Sequence, residues 1–263
     1  MTTASQDTQN VSSEEISAIL EDTVSRHQRA ALLYSGGIES TLLLRLAEPW
    51  RSHITVYTVR TGAEFPHMIT FIDRMLSGWD HRVIRSDVSA SFGQFGIPAS
   101  VLPIEHTEGI AATLNSNERL PLIVPWPLCC IRNRFVPGCE AIKADGIGGV
   151  IHGQRAGDYP KSAPALLEYP GLELVAPLWN VSRGGVWKEI RDLGIELPDH
   201  YAEYPSSLDC SICPAVLTTE RRKWMARRAP DSLAIAEKLH AAVTHAVIAA
   251  LDGDNTQNAF KVQ

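Results

Sequence analysis

Four of the five cysteines in this chain of 263 residues occur as two pairs. Cys129 and Cys130 are adjacent, and Cys210 and Cys213 form a C-x-x-C much later in the chain. Thiolates are the usual ligands of iron–sulfur clusters and also bind zinc. Adjacent cysteines fit a relaxed tetrahedral zinc site poorly, so the spacing favours an iron–sulfur cluster over zinc or a set of unmetallated thiols. The fifth cysteine, Cys139, is interpreted as a small buried hydrophobic residue.

A glycine turn is the second pattern with chemical meaning, and it reads S-G-G-I-E-S over residues 35–40. Gly36 and Gly37 permit φ > 0 and let backbone N–H groups approach an anion closely. Ser35 and Ser40 can donate hydroxyl hydrogen bonds to phosphate oxygens, and a helix N-terminus adds partial positive charge. The spacing is neither that of a Walker A loop nor that of the G-x-G-x-x-G turn. We therefore predict a phosphate-binding turn, with a plain strand–helix turn as the alternative.

The elements that must position these residues follow from the hydrophobic pattern. Short apolar runs alternate with helical periodicity up to about residue 185, which is typical of a parallel sheet covered on both faces. We predict an α/β fold with a five-stranded, mainly parallel sheet sandwiched by helices, and a nucleotide at the carboxyl ends of the strands. The five predicted strands are residues 29–34, 53–59, 81–86, 149–153 and 172–176.

We expect three parts along the chain. They are an N-terminal tail and helix at 1–28, an α/β nucleotide-binding domain at 29–185 and a C-terminal helical region at 186–263 that carries the C-x-x-C. Ser12 or Ser13 is the expected N-cap of the first helix, which should run to about His27.

Two stretches of the α/β part have weaker patterns. Residues 87–125 look irregular and proline-punctuated, with one helix at 109–114. Residues 129–144 can be helical, but Pro137 and Gly138 are expected to interrupt that helix.

Composition places the chain among ordinary soluble globular proteins, with 44% hydrophobic and 21% charged residues. No apolar run reaches the roughly 18 residues that span a bilayer, and the acidic N-terminus lacks the apolar segment of a secretory signal. We therefore expect a cytoplasmic protein with no membrane partner, in which paired cysteines indicate metal or redox chemistry more than disulfides. The net charge of −6 argues against broad binding of nucleic acid. The densest basic stretch, residues 221–228, is interpreted as a solvated helix face.

The glycine turn resembles the pyrophosphate-binding loop, S-G-G-x-D-S, of the adenine-nucleotide α-hydrolase (PP-loop) superfamily, with Glu39 where aspartate is usual. Later segments narrow the resemblance to its phosphoadenosine phosphosulfate (PAPS)/adenylylsulfate (APS) reductase family. These segments run in the family's order and are T-G-A-E-F-P at 61–66, C-C-I-R-N-R at 129–134, G-Q-R at 153–155 with Ser162, P-L-W at 177–179 with Val186, Trp187 and Ile190, and the stretch 204–214.

The resemblance implies an adenine nucleotide, either ATP, APS or PAPS, and a [4Fe–4S] cluster on the two cysteine pairs, as in the APS-reducing branch. Arg155 and Arg60 are the candidate catalytic residues, which would neutralise departing charge together with Mg²⁺ if the ligand is ATP. The resemblance implies a nucleotide site made of Ser35, Gly36, Gly37, Glu39, Ser40, Thr61, Gly62, Arg132, Arg134, Gly153 and Arg155.

Two departures from the family pattern suggest a changed reaction. The reductases attack sulfur with a cysteine near the C-terminus, and no cysteine follows Cys213 in this sequence. Asn133 also stands where the family has arginine. We expect a PAPS/APS reductase-like iron–sulfur enzyme of sulfur metabolism or sulfur transfer. An ATP pyrophosphatase that adenylylates a nucleic acid or a small molecule, and a non-catalytic nucleotide-binding redox sensor, are the alternatives.

Overall fold

Five short parallel strands form the sheet that the sequence predicts. The strands of the protein, in chain order, are β1 Ala30–Leu33, β2 Ile54–Arg60, β3 Asp80–Arg85, β4 Ile97–Ala99, β5 Ile123–Pro125, β6 Gly149–Ile151 and β7 Glu173–Val175. The main sheet has the order β3-β2-β1-β6-β7, and all its neighbouring pairs are parallel. β4 and β5 form a separate parallel pair. The computed structural model describes residues 12–102, 106–107, 121–158, 168–208 and 210–251.

The strand order places a switch point beside β1. The chain first extends the sheet from β1 through β2 to β3, and later returns to add β6 and β7 on the other side of β1. Leu32 of β1 therefore lies between Val56 of β2 and Ile151 of β6. In open parallel sheets, a ligand binds at the carboxyl ends of the strands where the order reverses. Here that position is the end of β1 and β6.

Helices follow most of the strands, as the alternating pattern predicts. The described α-helices are α1 Ser13–His27, α2 Ile38–Leu46, α3 Pro66–Met75, α4 Val88–Phe95, α5 Trp126–Cys130, α6 Val136–Ala144, α7 Arg183–Asp192, α8 Thr219–Arg228 and α9 Pro230–Leu251. α1 begins with a capping box, because Ser12 and Glu15 each accept a backbone hydrogen bond from the other. The predicted start of α1 is thereby confirmed.

Apolar side chains pack against both faces of the main sheet. On one face, Ile16 of α1 and Leu42 of α2 share a core with Ile151. On the other face, Ile142 of α6 packs with Val150. Val150 and Ile151 enter different cores because successive residues of a strand point to opposite faces. The sandwich of helices around a parallel sheet is therefore as predicted.

The stretch after β3 was predicted as irregular, and this prediction was wrong. α4 covers Val88–Phe95 and is capped by the Asp87 side chain, and β4 and β5 pair in parallel. The signal was weak because each of these strands has three residues, including Pro98 or Pro125, and proline weakens a strand pattern. The helix predicted at 109–114 lies outside the described residues.

The interruption predicted at Pro137 and Gly138 was also wrong. A five-residue π-helical turn, Ile131–Phe135, joins α5 to α6, and proline occupies the first turn of α6, where its missing N–H has no helical partner. Gly138 lets α6 approach the sheet, because a methyl group there would lie 3.0 Å from Cδ2 of Leu33.

The chain forms two compact units, each built from several stretches. The first unit comprises the stretch ending at Arg60, Pro66–Ser86 and Arg134–Ser207. The second comprises Thr61–Phe65, Asp87–Asn133 and the stretch beginning at Leu208. The first contains the main sheet, and the second contains β4, β5, α8, α9 and both cysteine pairs. The three-part division at residues 28 and 185 stays a prediction.

Among the described helices, α9 alone is long and apolar enough to cross a membrane by length and composition. Its exposed apolar side chains include Ile235, Ile248 and Leu251. Glu237 and Lys238 lie within it, which is why the sequence shows no uncharged run of membrane length. One helix of this kind is by itself weak support for a membrane span.

Candidate functional site

The turn between β1 and α2 brings two serine hydroxyls together in the first unit. Ser35 Oγ and Ser40 Oγ lie 3.2 Å apart, and Ser40 Oγ also donates to the carbonyl of Gly37 at 3.2 Å. Gly36 has a φ of +76°, a left-handed conformation that glycine adopts without strain. The turn leads directly into α2, whose first backbone amides have no partner within the helix. Hydroxyls beside a helix N-terminus are groups that can bind a phosphate.

The segment after β6 packs against this turn. A methyl group on Gly153 would lie 3.0 Å from the backbone nitrogen of Ser40 and 3.0 Å from Cβ of Glu39. The approach follows from the sheet order, because β6 neighbours β1 and the two strands end at the same edge. Glycine at this position therefore permits contact between two segments that are far apart in the sequence.

A largely buried ion pair lies beside the glycine turn. Arg155 Nε lies 3.3 Å from Oε1 of Glu39, and the two side chains are 5% and 15% exposed. An arginine that is almost fully buried and paired with one carboxylate can redirect its charge to an incoming anion. Seven of the predicted nucleotide-binding residues thus come together, namely Ser35, Gly36, Gly37, Glu39, Ser40, Gly153 and Arg155.

Tyr201 joins this group, although sequence analysis did not single it out. Its hydroxyl accepts a hydrogen bond from the backbone N–H of Ile38, the first residue of α2, at 3.3 Å. Burial raises the pKa of Tyr201, so the phenol stays protonated at neutral pH. Its ring packs on His200, with centroids 4.1 Å apart. No local pattern could have indicated Tyr201, since its contact with Ile38 spans most of the chain.

His152 follows the last residue of β6, Ile151, and precedes Gly153. It is buried, and Nε2 has no hydrogen-bond partner within the described part of the chain. Burial lowers the pKa of His152 to about 4, so the imidazole is neutral. The ring meets Phe135 edge-on, with centroids 6.4 Å apart. The structure places His152 in the interior, directly after the central strand β6.

Arg60, the other candidate catalytic residue, ends β2. Its guanidinium pairs with Asp73 of α3, and its side chain is 19% exposed. Its carbonyl accepts a hydrogen bond from the Ser86 amide at 2.8 Å. Arg60 therefore already has a carboxylate partner, as Arg155 does.

Three of the four paired cysteines share one buried cluster in the second unit. Cys129, Cys210 and Cys213 pack together with apolar side chains that include Val88 and Val124. Each of the three cysteines is 8% exposed. The structure thus joins the two pairs, although a long stretch of chain separates them.

Cys130 and Cys139 have different surroundings. Cys130 is partly exposed, whereas Cys139 is fully buried and burial raises its pKa to about 12. No disulfide joins any of the five cysteines, all of which lie in the described part of the chain.

Polar groups reach two of the clustered cysteines. Thr61 Oγ1 lies 3.5 Å from Cys210 Sγ, and Asn133 Nδ2 lies 3.6 Å from Cys129 Sγ. Arg221, with 1% exposure, donates from Nη2 to the Cys210 carbonyl at 2.9 Å. The interpretation of 221–228 as a solvated face is therefore wrong for Arg221, which lies on the buried side of α8.

The other predicted nucleotide-binding residues lie apart from the glycine turn in the chain. Thr61 and Gly62 belong to the second unit, where the carboxylate of Glu64 accepts hydrogen bonds from both backbone amides. Arg132 lies over the Phe95 ring, 4.4 Å from its centroid, in the same unit. Arg134 is partly buried in the first unit. Their roles toward a nucleotide stay predictions.

Within the described residues, no group of three or more histidine, cysteine, aspartate or glutamate side chains is arranged to hold a metal ion. A single zinc ion binds each sulfur at about 2.3 Å, which requires the sulfurs to lie within about 4 Å of one another. In a four-iron cluster each thiolate binds a different iron, so the ligands lie further apart. Thiolates are the ligands that iron–sulfur clusters use, so the chemistry of the three clustered side chains fits such a group.

Comparison with models of known protein families identifies a family for this chain. The chain matches the family model described as the phosphoadenosine phosphosulfate reductase domain over residues 29–216. This range contains the glycine turn and both cysteine pairs. No curated protein sequence matches the chain.

Two solved structures resemble the fold. A PAPS reductase from Candida auris, in a phosphate complex, is 15% identical with a TM-score of 0.49, and the match covers 80% of this chain and 96% of that one. An NH3-dependent NAD synthetase from Campylobacter jejuni subsp. jejuni, in complex with nitrate, is 13% identical with a TM-score of 0.45, and the match covers 89% of this chain and 94% of that one. These resemblances are too distant to support an argument about residues or reaction.

Proposed function

The chain belongs to the phosphoadenosine phosphosulfate reductase domain family, and from this premise we propose that it is an adenine-nucleotide-binding iron–sulfur enzyme of sulfur metabolism or sulfur transfer. The observation that carries the proposal is the packing of Cys129, Cys210 and Cys213 in one buried cluster. Free thiols gain little from such convergence, whereas cluster ligands require it. We further propose a cytoplasmic location, where thiols stay reduced.

The ligand set that we propose is Cys129, Cys130, Cys210 and Cys213 around a [4Fe–4S] cluster. The polar contacts to sulfur from Thr61 and Asn133 support a liganding role, because hydrogen bonds to ligand sulfurs are a regular feature of such sites. When bound, the cluster would supply a site for sulfur or electrons.

The nucleotide that we propose binds at the turn of the first unit. Ser35 and Ser40 would donate hydroxyl hydrogen bonds to its phosphates, and the N-terminus of α2 would add partial positive charge. Arg155 would turn from Glu39 to the phosphate and stabilise negative charge that develops there. APS, PAPS and ATP all present the phosphate that these groups recognise.

A second candidate function is favoured by Glu39. A carboxylate at the phosphate-binding turn can hold Mg²⁺ beside a triphosphate. The protein would then bind ATP, adenylylate an oxygen of a nucleic acid or small molecule, and release pyrophosphate. Arg155 would stabilise the charge of the departing pyrophosphate.

The cluster is tested on anaerobically purified protein. We expect about four irons and about four sulfides per chain, with broad visible absorbance. Replacing Cys129, Cys210 or Cys213 by alanine should abolish the colour. Cys139→Ala is the matched control, because this cysteine is also buried but lies outside the cysteine cluster. The Cys139→Ala variant should keep its iron. A colourless wild-type protein, or one that contains only zinc, would overturn the cluster.

Turnover assays separate the reactions. Sulfite release from APS or PAPS with a thiol reductant would support reduction, and pyrophosphate release from ATP and Mg²⁺ would support adenylylation. Tight nucleotide binding without either product would instead support a redox sensor. A protein that binds none of the three nucleotides would contradict the whole proposal.

A further inference from the structure

Asn133 occupies an unusual turn next to the cysteine pair. It lies in the π-helical turn Ile131–Phe135, four residues after Cys129, and its side chain is buried with 5% of the residue exposed. Single π-helical turns inside longer helices are rare and often occur at functional sites.

The amide of Asn133 is directed at Cys129. Nδ2 donates to the carbonyl oxygen of Cys129 at 2.9 Å and to Oγ of Ser91 in α4 at 3.0 Å. The same nitrogen lies 3.6 Å from Sγ of Cys129. The amide has two N–H groups for these three acceptors, so the sulfur shares one of them with an oxygen.

The hydrogen bond between Asn133 and the sulfur of Cys129 can form in one direction only. The NH₂ group of asparagine can only donate, so Cys129 Sγ must be the acceptor. A thiol is a weak acceptor, whereas an iron-bound thiolate carries negative charge and accepts much more strongly. The contact therefore gains strength when Cys129 becomes a ligand.

The residue type suits this position, because asparagine is short and its neutral amide contacts Cys129 through N–H donors without adding a charge.

We propose that Asn133 is a positioning residue for the cluster, which orients Cys129 and donates an N–H···S hydrogen bond that slows loss of iron. The inference rests on the cluster proposed above. Outer-shell partners of this kind commonly change metal affinity by about 10- to 100-fold when removed.

The test compares Asn133→Ala and Asn133→Asp with the wild type. Asn133→Asp keeps the shape of the side chain but removes both N–H groups. We expect both variants to release iron to a chelator about tenfold faster or more. Resonance Raman spectra should show that the Fe–S stretching bands of the wild type move in D₂O, and that this movement decreases in both variants. A merely structural role would not affect the isotope shift.

Ser91→Ala is the matched control. It removes the other side-chain partner of the same amide and leaves the N–H groups free for the sulfur, so iron release should stay within about twofold of the wild type. Equal iron release and equal isotope shifts in all four proteins would overturn the inference. So would a Ser91→Ala variant that loses iron as fast as Asn133→Ala.

The failures of the two proposals can be told apart. A wild type without iron contradicts the cluster itself. A wild type with iron whose Asn133 variants behave normally contradicts only the role of Asn133. If Asn133→Ala does not fold, as judged by circular dichroism, Asn133→Asp provides the comparison.

Discussion

The Glu39–Arg155 pair shows how one side-chain contact sets the charge beside the glycine turn. Both groups are largely buried, and they lie 3.3 Å apart between Arg155 Nε and Glu39 Oε1. A buried cation that loses a carboxylate partner is destabilised unless an anion replaces that partner. Changes to either partner should therefore move nucleotide affinity in opposite directions.

We predict that Arg155→Met weakens binding of Mg²⁺-free ATP or PAPS by about 10- to 100-fold, because charge-assisted hydrogen bonds contribute about 1.5–3 kcal/mol. Glu39→Gln should strengthen the same binding, since Arg155 is then released. Isothermal titration calorimetry measures both. Arg74→Met is the control, because Arg74 is exposed and pairs with Glu196 on the surface. Affinity unchanged in Arg155→Met would contradict a phosphate site here.

The second prediction at the residue scale is that His152 makes folding stability depend on pH. Burial lowers its pKa from an ordinary 6.5 to about 4 in the folded protein. The unfolded chain therefore binds more protons between these two values, and folding stability is lost as pH falls from 6.5 to 4. The contribution is on the order of 3 kcal/mol, from a difference of about 2.5 pKa units.

Urea unfolding at pH 7 and pH 4.5 tests this point. His152→Gln should flatten the difference in unfolding free energy between the two pH values. His240→Gln is the control, because His240 lies on α9 and is partly exposed. Equal pH dependence in the wild type and His152→Gln would show that His152 does not titrate as proposed.

At the scale of elements, α3 packs against the glycine turn and leaves room for a side chain at Gly37 but not at Gly36. A methyl group on Gly36 would lie 2.9 Å from Cγ1 of Ile72 and 3.0 Å from Cε of Met68, and φ there is +76°. A methyl group on Gly37 would meet its nearest atom, Ser35 Oγ, at an ordinary 3.5 Å, and φ there is −74°. The two neighbouring glycines thus have different roles.

We predict that Gly36→Ala lowers the free energy of unfolding by about 2–4 kcal/mol, from backbone strain and overpacking. Gly37→Ala should change it by less than about 1 kcal/mol, since its conformation suits alanine. Urea unfolding at pH 7 measures both variants. Equal destabilisation by the two substitutions would contradict the conformation of the turn.

At the scale of the whole molecule, the division of the chain into two units determines which stretches each ligand should stabilise. The chain passes between them several times, and each unit contains one candidate site. A ligand stabilises the part of the native structure that binds it, in proportion to the logarithm of its concentration over Kd. Nucleotide and cluster should therefore protect different stretches of the chain.

We predict two separate patterns of amide hydrogen exchange. Nucleotide should slow exchange in α2 and around Gly153, and iron removal should speed exchange in α5 and around Cys210. Mass spectrometry of peptides from the full chain measures this. Protection by nucleotide that is confined to the second unit would contradict the placement of the phosphate site.

Local sequence patterns predicted the fold class and most of the strands and helices of the main sheet. The alternation of apolar runs and helical periodicity predicted the sheet, and Ser12 predicted the start of α1. The glycine turn and the cysteine pairs indicated the candidate sites. Such features depend on residues close in sequence. Local signals failed at the two short strands, where prolines mask the pattern, and at α4, which has only eight residues.

Only the tertiary structure decided which distant residues meet. It joined Arg155 to Glu39, the Tyr201 hydroxyl to the first amide of α2, Asn133 to Ser91, and Thr61 to the sulfur of Cys210. Strand order and helix packing determine such contacts, and these depend on burial summed over the entire chain. The physical reason is that a short segment specifies its own backbone conformation but not the partner against which it packs.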